Sequence, residues 1–405
     1  MSQSVTKVLL ISPYYKPAYT YGGPVNSCAS LCEGLVRQGV RVSVLTTDAN
    51  GGERLKVPLK TEVDRNGVKV VYYPLKTDFY FYSPELVSAI HENVGRYDVV
   101  FLQALWTHPF IPGARACIQK QVPYIVTLRG QLLPWALRRG ATKKQLYLRL
   151  AGRKYLEAAS GVHCTSAAEV SALEALGYRT RDFLMPNTID TGRFKEKPAS
   201  GSLRTLLVLG RLHRKKRVDV ALQAFACVAQ MYPQVHLVLA GPDEEGLGAD
   251  LLEQARLSGI EGRVHLTGLL REEHVLAALA DALLLMMPSE PDSENFGMSA
   301  LEAMAAGVPV LVSEGVPVGR WAEEHGAGLV VDCSVEAFAC ALAKLLADPC
   351  RLRAMGEAGR RLAETNFDQD RVAQKWIAQL EAIVNTGKPL PEAAPEALAE
   401  TVCAC

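Results

Sequence analysis

The 405-residue sequence has no long apolar run, almost no net charge and no regular spacing of cysteines. A helix that spans a bilayer needs about 20 consecutive apolar residues, whereas the best candidate, residues 275–287, is shorter and includes Asp281. The formal net charge is +1, so no overall field attracts nucleic acid, and charged ligands must be recognised by local patches. We therefore expect neither a membrane-spanning helix nor a nucleic-acid partner.

The ten cysteines occur in no zinc-finger spacing. Cys28 and Cys32 are four residues apart and would share a helix face, and Cys403 and Cys405 end the sequence. Buried, reduced thiols are the preferred interpretation, and a redox or metal site is the alternative. The first residues contain no apolar signal segment followed by a cleavage site, which favours a cytoplasmic protein.

Hydrophobic residues make up 49% of the chain, which excludes a disordered or collagen-like protein, and the length favours two domains. Short β-branched runs alternate with longer segments of helical period, as in parallel βαβ units. The strands predicted for the first half are 7–12, 42–46, 68–73, 99–102, 124–127, 161–164 and 183–185. Those predicted for the second half are 205–209, 235–240, 264–267, 283–287, 308–312 and 329–331. The predicted fold class is α/β, with two doubly wound parallel sheets that face each other across a cleft.

The predicted boundary between the domains lies in residues 185–202, which are rich in Pro, Gly, Ser and charge. Residues 1–190 would form the N-terminal domain and residues 191–367 the C-terminal domain. Three further segments are predicted: helices at 349–367 and 368–384, and a flexible tail at 386–405.

Two glycines, Gly22 and Gly23, follow the first predicted strand and precede Pro24 and a segment of helical period. Glycines at a helix N-terminus let the backbone approach an anion, which the helix dipole also favours. The alternative is a simple turn. The spacing lacks the G-x-G-x-x-G pattern of dinucleotide-binding folds, which weakens an oxidoreductase interpretation.

Five basic residues crowd the loop from Arg211 to Arg217, directly after the first predicted strand of the second half. Like charges so close together repel one another unless water or a bound anion offsets them. Arginine supplies a bidentate fork and lysine a mobile charge, so a phosphate site is preferred here to a solvated turn.

The strongest local signal is the segment 288–309. A predicted strand ends at the start of this segment, and a polar loop with Glu294 follows. A predicted helix then begins at Gly297 and carries Glu302. We expect both glutamates to point into one cavity beside the helix N-terminus, where carboxylates accept hydrogen bonds from sugar hydroxyls and amides hold phosphate. Taken alone, Glu302 fits a helix surface better.

Four separated motifs, in the same order, resemble the retaining glycosyltransferases of family 4, also called group 1, which have the GT-B fold. They are Gly22-Gly23-Pro24, Pro186-Asn-Thr-Ile-Asp, Gly210-Arg-Leu with Lys216, and Ser293-Glu-Asn-Phe-Gly followed by Leu301-Glu-Ala-Met-Ala-Ala-Gly-Val-Pro. The resemblance covers nearly the whole chain. It implies that the helix 368–385 joins the N-terminal domain, and that the C-terminal domain holds most of a nucleoside diphosphate sugar.

The resemblance also implies a role for each matching residue. Arg211 and Lys216 would bind the diphosphate and stabilise the leaving group, while Glu302 would bind the ribose and Glu294 the donor sugar. The remaining donor-binding residues implied are Gly22, Gly23, Gly268, Leu269, Leu270, Asn295, Phe296, Gly297, Met298 and Ser299. The family needs no metal, so no cofactor is expected, and the donor favoured is a UDP-sugar.

The sequence departs from the family pattern in the N-terminal half. Phe101 and Gln103 replace the usual His-x-His, and Arg129 replaces a usual histidine close to the donor sugar. Arginine cannot act as a general base, but a retaining mechanism in which the leaving phosphate takes the acceptor proton needs none. Arg129 would instead bind an anionic acceptor or the departing phosphate. His108 is a second candidate catalytic residue, with a structural histidine as the alternative.

Residues 138–154 are basic and apolar and contain no acid. A basic amphipathic helix at this position would let the N-terminal domain rest on an anionic bilayer and reach a lipid diphosphate-linked acceptor. The alternative is a solvated helix that covers the core.

The family resemblance implies a retaining, metal-independent hexosyltransferase. It would move a hexose from a UDP- or GDP-sugar to a glycan or lipid-linked oligosaccharide in exopolysaccharide or envelope synthesis. The Arg-Gly-x-Leu-x-Pro-Trp motif that begins at Arg129 resembles that of a family branch used in cell-surface polysaccharide synthesis. Its predicted location is the cytoplasm, at the inner face of the plasma membrane. Two alternatives stay open: a nucleotide sugar epimerase of the same fold, and a catalytically silent partner that binds nucleotide sugar.

Overall fold

Two large β-sheets organise the chain in the computed structural model, which describes residues 4–138, 140–194 and 205–391. The strands are β1 Lys7–Ile11, β2 Arg41–Thr47, β3 Ala49–Asn50, β4 Glu53–Arg54, β5 Glu62–Arg65, β6 Val68–Tyr73, β7 Val99–Gln103, β8 Tyr124–Thr127, β9 Gly161–Cys164, β10 Asp182–Leu184, β11 Thr205–Leu209, β12 His236–Ala240, β13 Val264–Gly268, β14 Ala282–Met287, β15 Val310–Ser313 and β16 Gly328–Val331. The helices are α1 Gly23–Arg37, α2 Pro84–Asn93, α3 Phe110–Lys120, α4 Pro134–Arg138, α5 Ala141–Tyr147, α6 Arg153–Glu157, α7 Ala167–Ala175, α8 Val218–Val228, α9 Gly248–Leu257, α10 Glu272–Asp281, α11 Met298–Ala305, α12 Val318–Glu324, α13 Val335–Leu346, α14 Pro349–Leu362 and α15 Gln369–Thr386.

The first sheet has eight strands in the order β10-β9-β8-β7-β1-β2-β6-β5. All neighbouring pairs are parallel except β5 and β6. Successive side chains of a strand point to opposite faces. Val8 and Leu10 accordingly pack with α1 and α15 on one face, whereas Leu9 and Ile11 pack with α2 and α3 on the other. Helices therefore cover both faces of the sheet.

The second sheet has six parallel strands in the order β13-β12-β11-β14-β15-β16. Leu206 and Val208 of β11 pack with α8 and α13, and Leu207 packs on the opposite face with α11. Two facing, doubly wound parallel sheets confirm the predicted fold class.

The last helix, α15, returns to the first sheet. Its Trp376 is fully buried, and its ring centroid lies 5.1 Å from that of Phe101 in β7. The Arg37 Nε atom lies 2.6 Å from Oδ1 of Asp370, which ties α1 to the start of α15. A Cβ atom on Gly34 would lie only 2.5 Å from the carbonyl oxygen of Gln369, so glycine permits this close approach. The C-terminal helix thus completes the core of the N-terminal domain.

Some local predictions were wrong. Four predicted strands, 68–73, 124–127, 161–164 and 205–209, have the predicted bounds, and the bounds of the others differ by one or two residues. The strand β5 and the β3–β4 hairpin, which are short and polar, were not predicted. The single helix expected near 138–154 is broken by Gly140, whose φ is 72°, and by a π-helical turn at Leu148–Gly152.

The cysteine prediction holds only for part of the chain. The eight described cysteines form no disulfide, and Cys28, Cys32, Cys117 and Cys164 are buried, but others such as Cys227 are exposed. Residues 195–202 of the predicted linker and 392–405 of the predicted tail lie outside the described residues. Within the described part of the chain, no helix has the length and hydropathy needed to cross a membrane.

Candidate active site

A cavity of about 380 Å³ lies between the two domains, at the carboxyl ends of their strands. Its walls come from the loops after β1 and β8 on one side and after β11, β12, β13 and β14 on the other. Most of the predicted donor-site residues line it: Gly22, Gly23, Arg129, Arg211, Lys216, Leu269, Leu270, Glu294, Asn295, Phe296, Gly297, Met298 and Ser299. The domains also touch directly, since the hydroxyl of Thr165 donates to Oδ1 of Asn295 over 3.1 Å.

Two helix N-termini meet at this cavity. Helix α1 follows Gly22, whose φ is 69°, and α11 follows Gly297, whose φ is 101°. A Cβ atom on Gly297 would lie 2.5 Å from the side chain of Val316, and one on Gly23 would lie 3.1 Å from that of Met298. The first N–H groups of a helix have no partner within the helix, and the dipole favours an anion beside them. Both domains can therefore present amides to a phosphate in the cavity.

Lys216 and Glu294 form a buried ion pair in the cavity wall, with Nζ 2.8 Å from Oε1. Burial alone would raise the pKa of Glu294, but the charges of Lys216 and Lys215 outweigh it and the pKa is lowered. Glu294 is therefore a carboxylate near neutral pH and can accept hydrogen bonds from sugar hydroxyls.

Only part of the basic loop faces the cavity. Arg211 lines it while bonded to Glu244, with an NH1–Oε2 distance of 3.0 Å. By contrast, the side chain of Arg214 is 82% exposed, and Arg217 pairs with Asp219 at 2.9 Å. The crowding of five cations is thus relieved partly by acidic neighbours and partly by solvent.

Lys215 is a cavity residue that the sequence did not single out from the rest of the loop. Its Nζ lies 5.0 Å from the ring centroid of Trp135, which belongs to α4 of the N-terminal domain. Burial lowers the pKa of Lys215. This cation–π contact joins the domains across the cavity, and the Lys-Lys dipeptide gave no indication of which lysine would make it.

Arg129 contributes a cation from the opposite wall. It has a φ of 49°, and its NH1 donates to Oγ of Ser27 at 2.6 Å and to Oδ1 of Asn187 at 2.7 Å. The buried Nε has no hydrogen-bond partner. Glu169, which accepts from the Gly130 amide, helps to hold this turn. Two acceptors, Ser27 Oγ and Asn187 Oδ1, thus hold the Arg129 guanidinium at the cavity wall, a geometry that the sequence motif did not reveal.

Three predicted site residues do not line the cavity. Gly268 ends β13 just before the lining residue Leu269. Glu302 lies one turn into α11, as predicted, but it neighbours Arg193 and Glu272 rather than sharing the cavity with Glu294. Burial raises the pKa of Glu302 to about 7. The expectation that both glutamates point into one cavity was wrong, because Glu294 lines the cavity and Glu302 does not.

His108 is the third of these residues. Its backbone N–H donates to the carbonyl of Tyr80 at 2.7 Å, and its ring lies 4.6 Å from that of Tyr82. Its Nδ1 faces the Ser83 amide at 3.5 Å, and burial lowers its pKa. His108 therefore orders the loop before α2, which agrees with the structural alternative rather than a place beside the donor.

Two family models match consecutive parts of the chain. Residues 22–188 match the glycosyl transferase 4-like domain, and residues 190–362 match the group 1 glycosyl transferases. The chain belongs to the group 1 glycosyltransferases. The boundary between the two matches falls at the segment that joins the two sheets, so each sheet of this glycosyltransferase corresponds to one model.

The glycosyltransferase resembles a curated relative over almost its full length. It is 26% identical over 409 residues, covering 96% of this chain and 95% of the relative, to the GDP-mannose:cellobiosyl-diphosphopolyprenol alpha-mannosyltransferase of Komagataeibacter xylinus. Two solved structures show the same fold. Anabaena HepE in complex with UDP and glucose has a TM-score of 0.71 at 21% identity, over 93% of this chain and 100% of that one. The sucrose-phosphate synthase of Thermosynechococcus elongatus has a TM-score of 0.70 at 22% identity, over 92% of this chain and 97% of that one. The glycosyltransferase therefore has the GT-B fold.

Proposed function

We propose that this glycosyltransferase moves a hexose from a UDP- or GDP-sugar to a glycan or lipid-linked oligosaccharide, with retention and without a metal. One observation carries the proposal: Arg211, Lys215 and Lys216 converge on a cavity where two helix N-termini meet and where Glu294 stays ionised. Cations and amides suit a diphosphate, and an adjacent carboxylate suits sugar hydroxyls. The role of Glu302 at the ribose and the preference for UDP remain predictions.

In the proposed reaction, the acceptor hydroxyl oxygen bonds to the anomeric carbon while the bond from that carbon to the diphosphate oxygen breaks. The hydroxyl proton passes to the departing diphosphate. Arg211 and Lys216 would stabilise the charge that develops on this leaving group, which is the role of fixed cations in transition-state stabilisation. Arg129 has no part as a base, because a guanidinium supplies hydrogen-bond donors and no acceptor. It would bind the departing phosphate or an anionic acceptor from the N-terminal wall.

Contact with an anionic membrane is part of the same proposal. Leu146 and Leu150, which are 57% and 73% exposed, lie on the outer surface of α5 and the π-helical turn together with exposed Lys143 and Arg149. Apolar and basic side chains on one surface suit the interface of an anionic bilayer. Lys144 does not belong to this surface, because its Nζ lies 5.4 Å from the ring centroid of Trp106. Arg139 lies outside the described residues.

The proposal is tested by mixing the purified protein with UDP-, GDP- or ADP-hexoses and following the donor and its products by NMR. We expect the protein to transfer the hexose of one donor to water or to an added acceptor. The first product should have the same anomeric configuration as the donor. Inversion of the anomeric centre would contradict retention. Conversion of the sugar to its epimer without acceptor would instead support an epimerase, and donor binding without turnover would support a silent binding partner.

A further inference from the structure

Aromatic side chains collect beside the cavity on the N-terminal domain. The rings of Tyr14 and Tyr21 are stacked, with centroids 4.3 Å apart and planes inclined by 14°. The ring of Phe81 lies 5.8 Å from both. We call these three residues the aromatic ledge. Phe79, two residues before Phe81, is 84% exposed.

The aromatic ledge is continuous with the cavity. Tyr21 itself lines the cavity. Tyr14 lies close enough to Arg129 and Arg211 for their charges to act on it, although burial dominates and raises its pKa to about 12. A ligand that extends from the cavity past Tyr21 therefore reaches the rest of the aromatic ledge.

The backbone that presents Phe81 is held in an uncommon conformation. Tyr80 and Phe81 have φ values of 60° and 51°, which bulky residues rarely adopt. The turn is fixed from outside: the Lys76 amide donates to the Tyr82 carbonyl at 2.9 Å, and the His108 amide donates to the Tyr80 carbonyl at 2.7 Å. Strain of this kind persists only where surrounding contacts impose it, and it clusters at ligand sites.

Polar groups adjoin the rings. The Tyr21 hydroxyl accepts from the Gly51 amide at 2.9 Å, and the Thr20 hydroxyl donates to Oδ1 of Asn50 at 2.6 Å. A surface that alternates ring faces with hydrogen-bonding groups matches a sugar, whose C–H groups lie on its faces and whose hydroxyls lie around its edge.

We infer that the aromatic ledge of Tyr14, Tyr21 and Phe81 binds the acceptor glycan, by stacking a neutral sugar ring of the acceptor next to the hydroxyl that reacts. This inference rests on the proposed function, because it places the acceptor on the wall opposite the cations that would hold the donor diphosphate. It assigns His108 a positioning role, through the turn that carries Phe81.

The test measures binding of cellotetraose to the full-length protein in the presence of UDP, by saturation-transfer NMR and titration. We expect Phe81→Ala to raise the Kd for cellotetraose about tenfold, equivalent to about 1.4 kcal/mol. Phe81→Tyr keeps the ring and should bind as the wild type does. Leu257→Ala, which removes an exposed apolar side chain from α9, is the matched control and should change nothing.

Three results would overturn the inference: no binding of cellotetraose by the wild type, unchanged affinity in Phe81→Ala, or an equal loss in Phe81→Tyr. Thermal unfolding identifies a variant that fails to fold, in which case Phe79→Ala and Phe81→Leu replace it. If the Phe79 and Phe81 variants lose binding to vesicles of phosphatidylcholine and phosphatidylglycerol but keep cellotetraose, the surface serves a membrane and the inference is wrong. Donor release by the wild type, measured separately, shows whether the proposed function itself fails.

Discussion

The Nζ atom of Lys216 lies 2.8 Å from Oε1 of Glu294, which brings the basic loop after β11 against the acidic loop after β14. The strands that carry these loops are neighbours in the second sheet. The pair sets a cation and a carboxylate side by side at the edge of the cavity, where a cation suits a diphosphate and a carboxylate suits sugar hydroxyls. A donor that binds here would replace part of this contact.

Replacing Lys216 by alanine should reduce donor turnover by about a hundredfold or more, the usual cost of losing a group that stabilises developing charge. The protein should remain folded, since Ser289 still donates to Glu294. Steady-state kinetics and thermal unfolding measure the two effects. Arg214→Ala, which removes an exposed cation from the same loop, is the control. Near-normal turnover in folded Lys216→Ala protein would count against the diphosphate role.

Glu302 should make stability depend on pH. The folded protein holds this proton up to about pH 7, whereas an unfolded glutamate releases it near pH 4.3. Between these values the folded state binds the extra proton, so the free energy of unfolding falls as the pH rises and then levels off. In Glu302→Gln, the free energy of unfolding should decrease by about 1 to 2 kcal/mol less than in the wild type over this pH range. Chemical denaturation of both proteins across this range is the measurement, and parallel pH profiles would refute the assignment.

Metal independence can be tested with a chelator. We expect EDTA to leave the rate of donor turnover unchanged, because Arg211, Lys215 and Lys216 already offset the charge of a diphosphate. The assay compares protein dialysed against EDTA with the same protein given Mg²⁺ or Mn²⁺. A loss of activity that a divalent cation restores would disprove this part of the proposal.

Lys143→Ser and Arg149→Ser should each weaken binding to anionic vesicles about fivefold, since one basic residue near such a surface contributes about 1 kcal/mol. Leu150→Ser should weaken binding further by removing apolar contact. Co-sedimentation with vesicles containing phosphatidylglycerol measures the effect. Leu257→Ser is the control for an exposed leucine elsewhere, and unchanged binding in all three variants would exclude this surface.

The architecture was predictable because its strands are buried on both faces. Runs such as residues 99–102 are continuously apolar and buried, and the helices between the strands show an apolar period. β5, by contrast, pairs at the sheet edge and consists of Glu-Val-Asp-Arg, so it offers no alternation to detect. The break at Gly140 was missed because basic and apolar residues continue on both sides of it.

The candidate site was predictable where motif residues sit in loops at strand ends, as with Arg211, Lys216 and Glu294. Sequence reasoning failed where the direction of a side chain depends on tertiary packing. Glu302 lies on the helix turn that the motif predicts, yet it neighbours Arg193 and Glu272 and does not line the cavity with Glu294. The contact of Lys215 with Trp135 joins residues 80 positions apart, and no local pattern encodes such a pair.

Nucleotide binding tests the central claim most directly. Isothermal titration calorimetry measures the affinity of the wild type, Arg211→Ala and Arg214→Ala for UDP and GDP. The two variants compare the loss of the cation at the cavity with the loss of the exposed cation of the same loop. We predict that the wild type binds one of these nucleotides at a single site. Arg211→Ala should raise its Kd about tenfold, equivalent to about 1.4 kcal/mol, and Arg214→Ala should leave it unchanged. Absence of binding by the wild type, or equal affinity in Arg211→Ala, would contradict a nucleoside diphosphate sugar in this cavity.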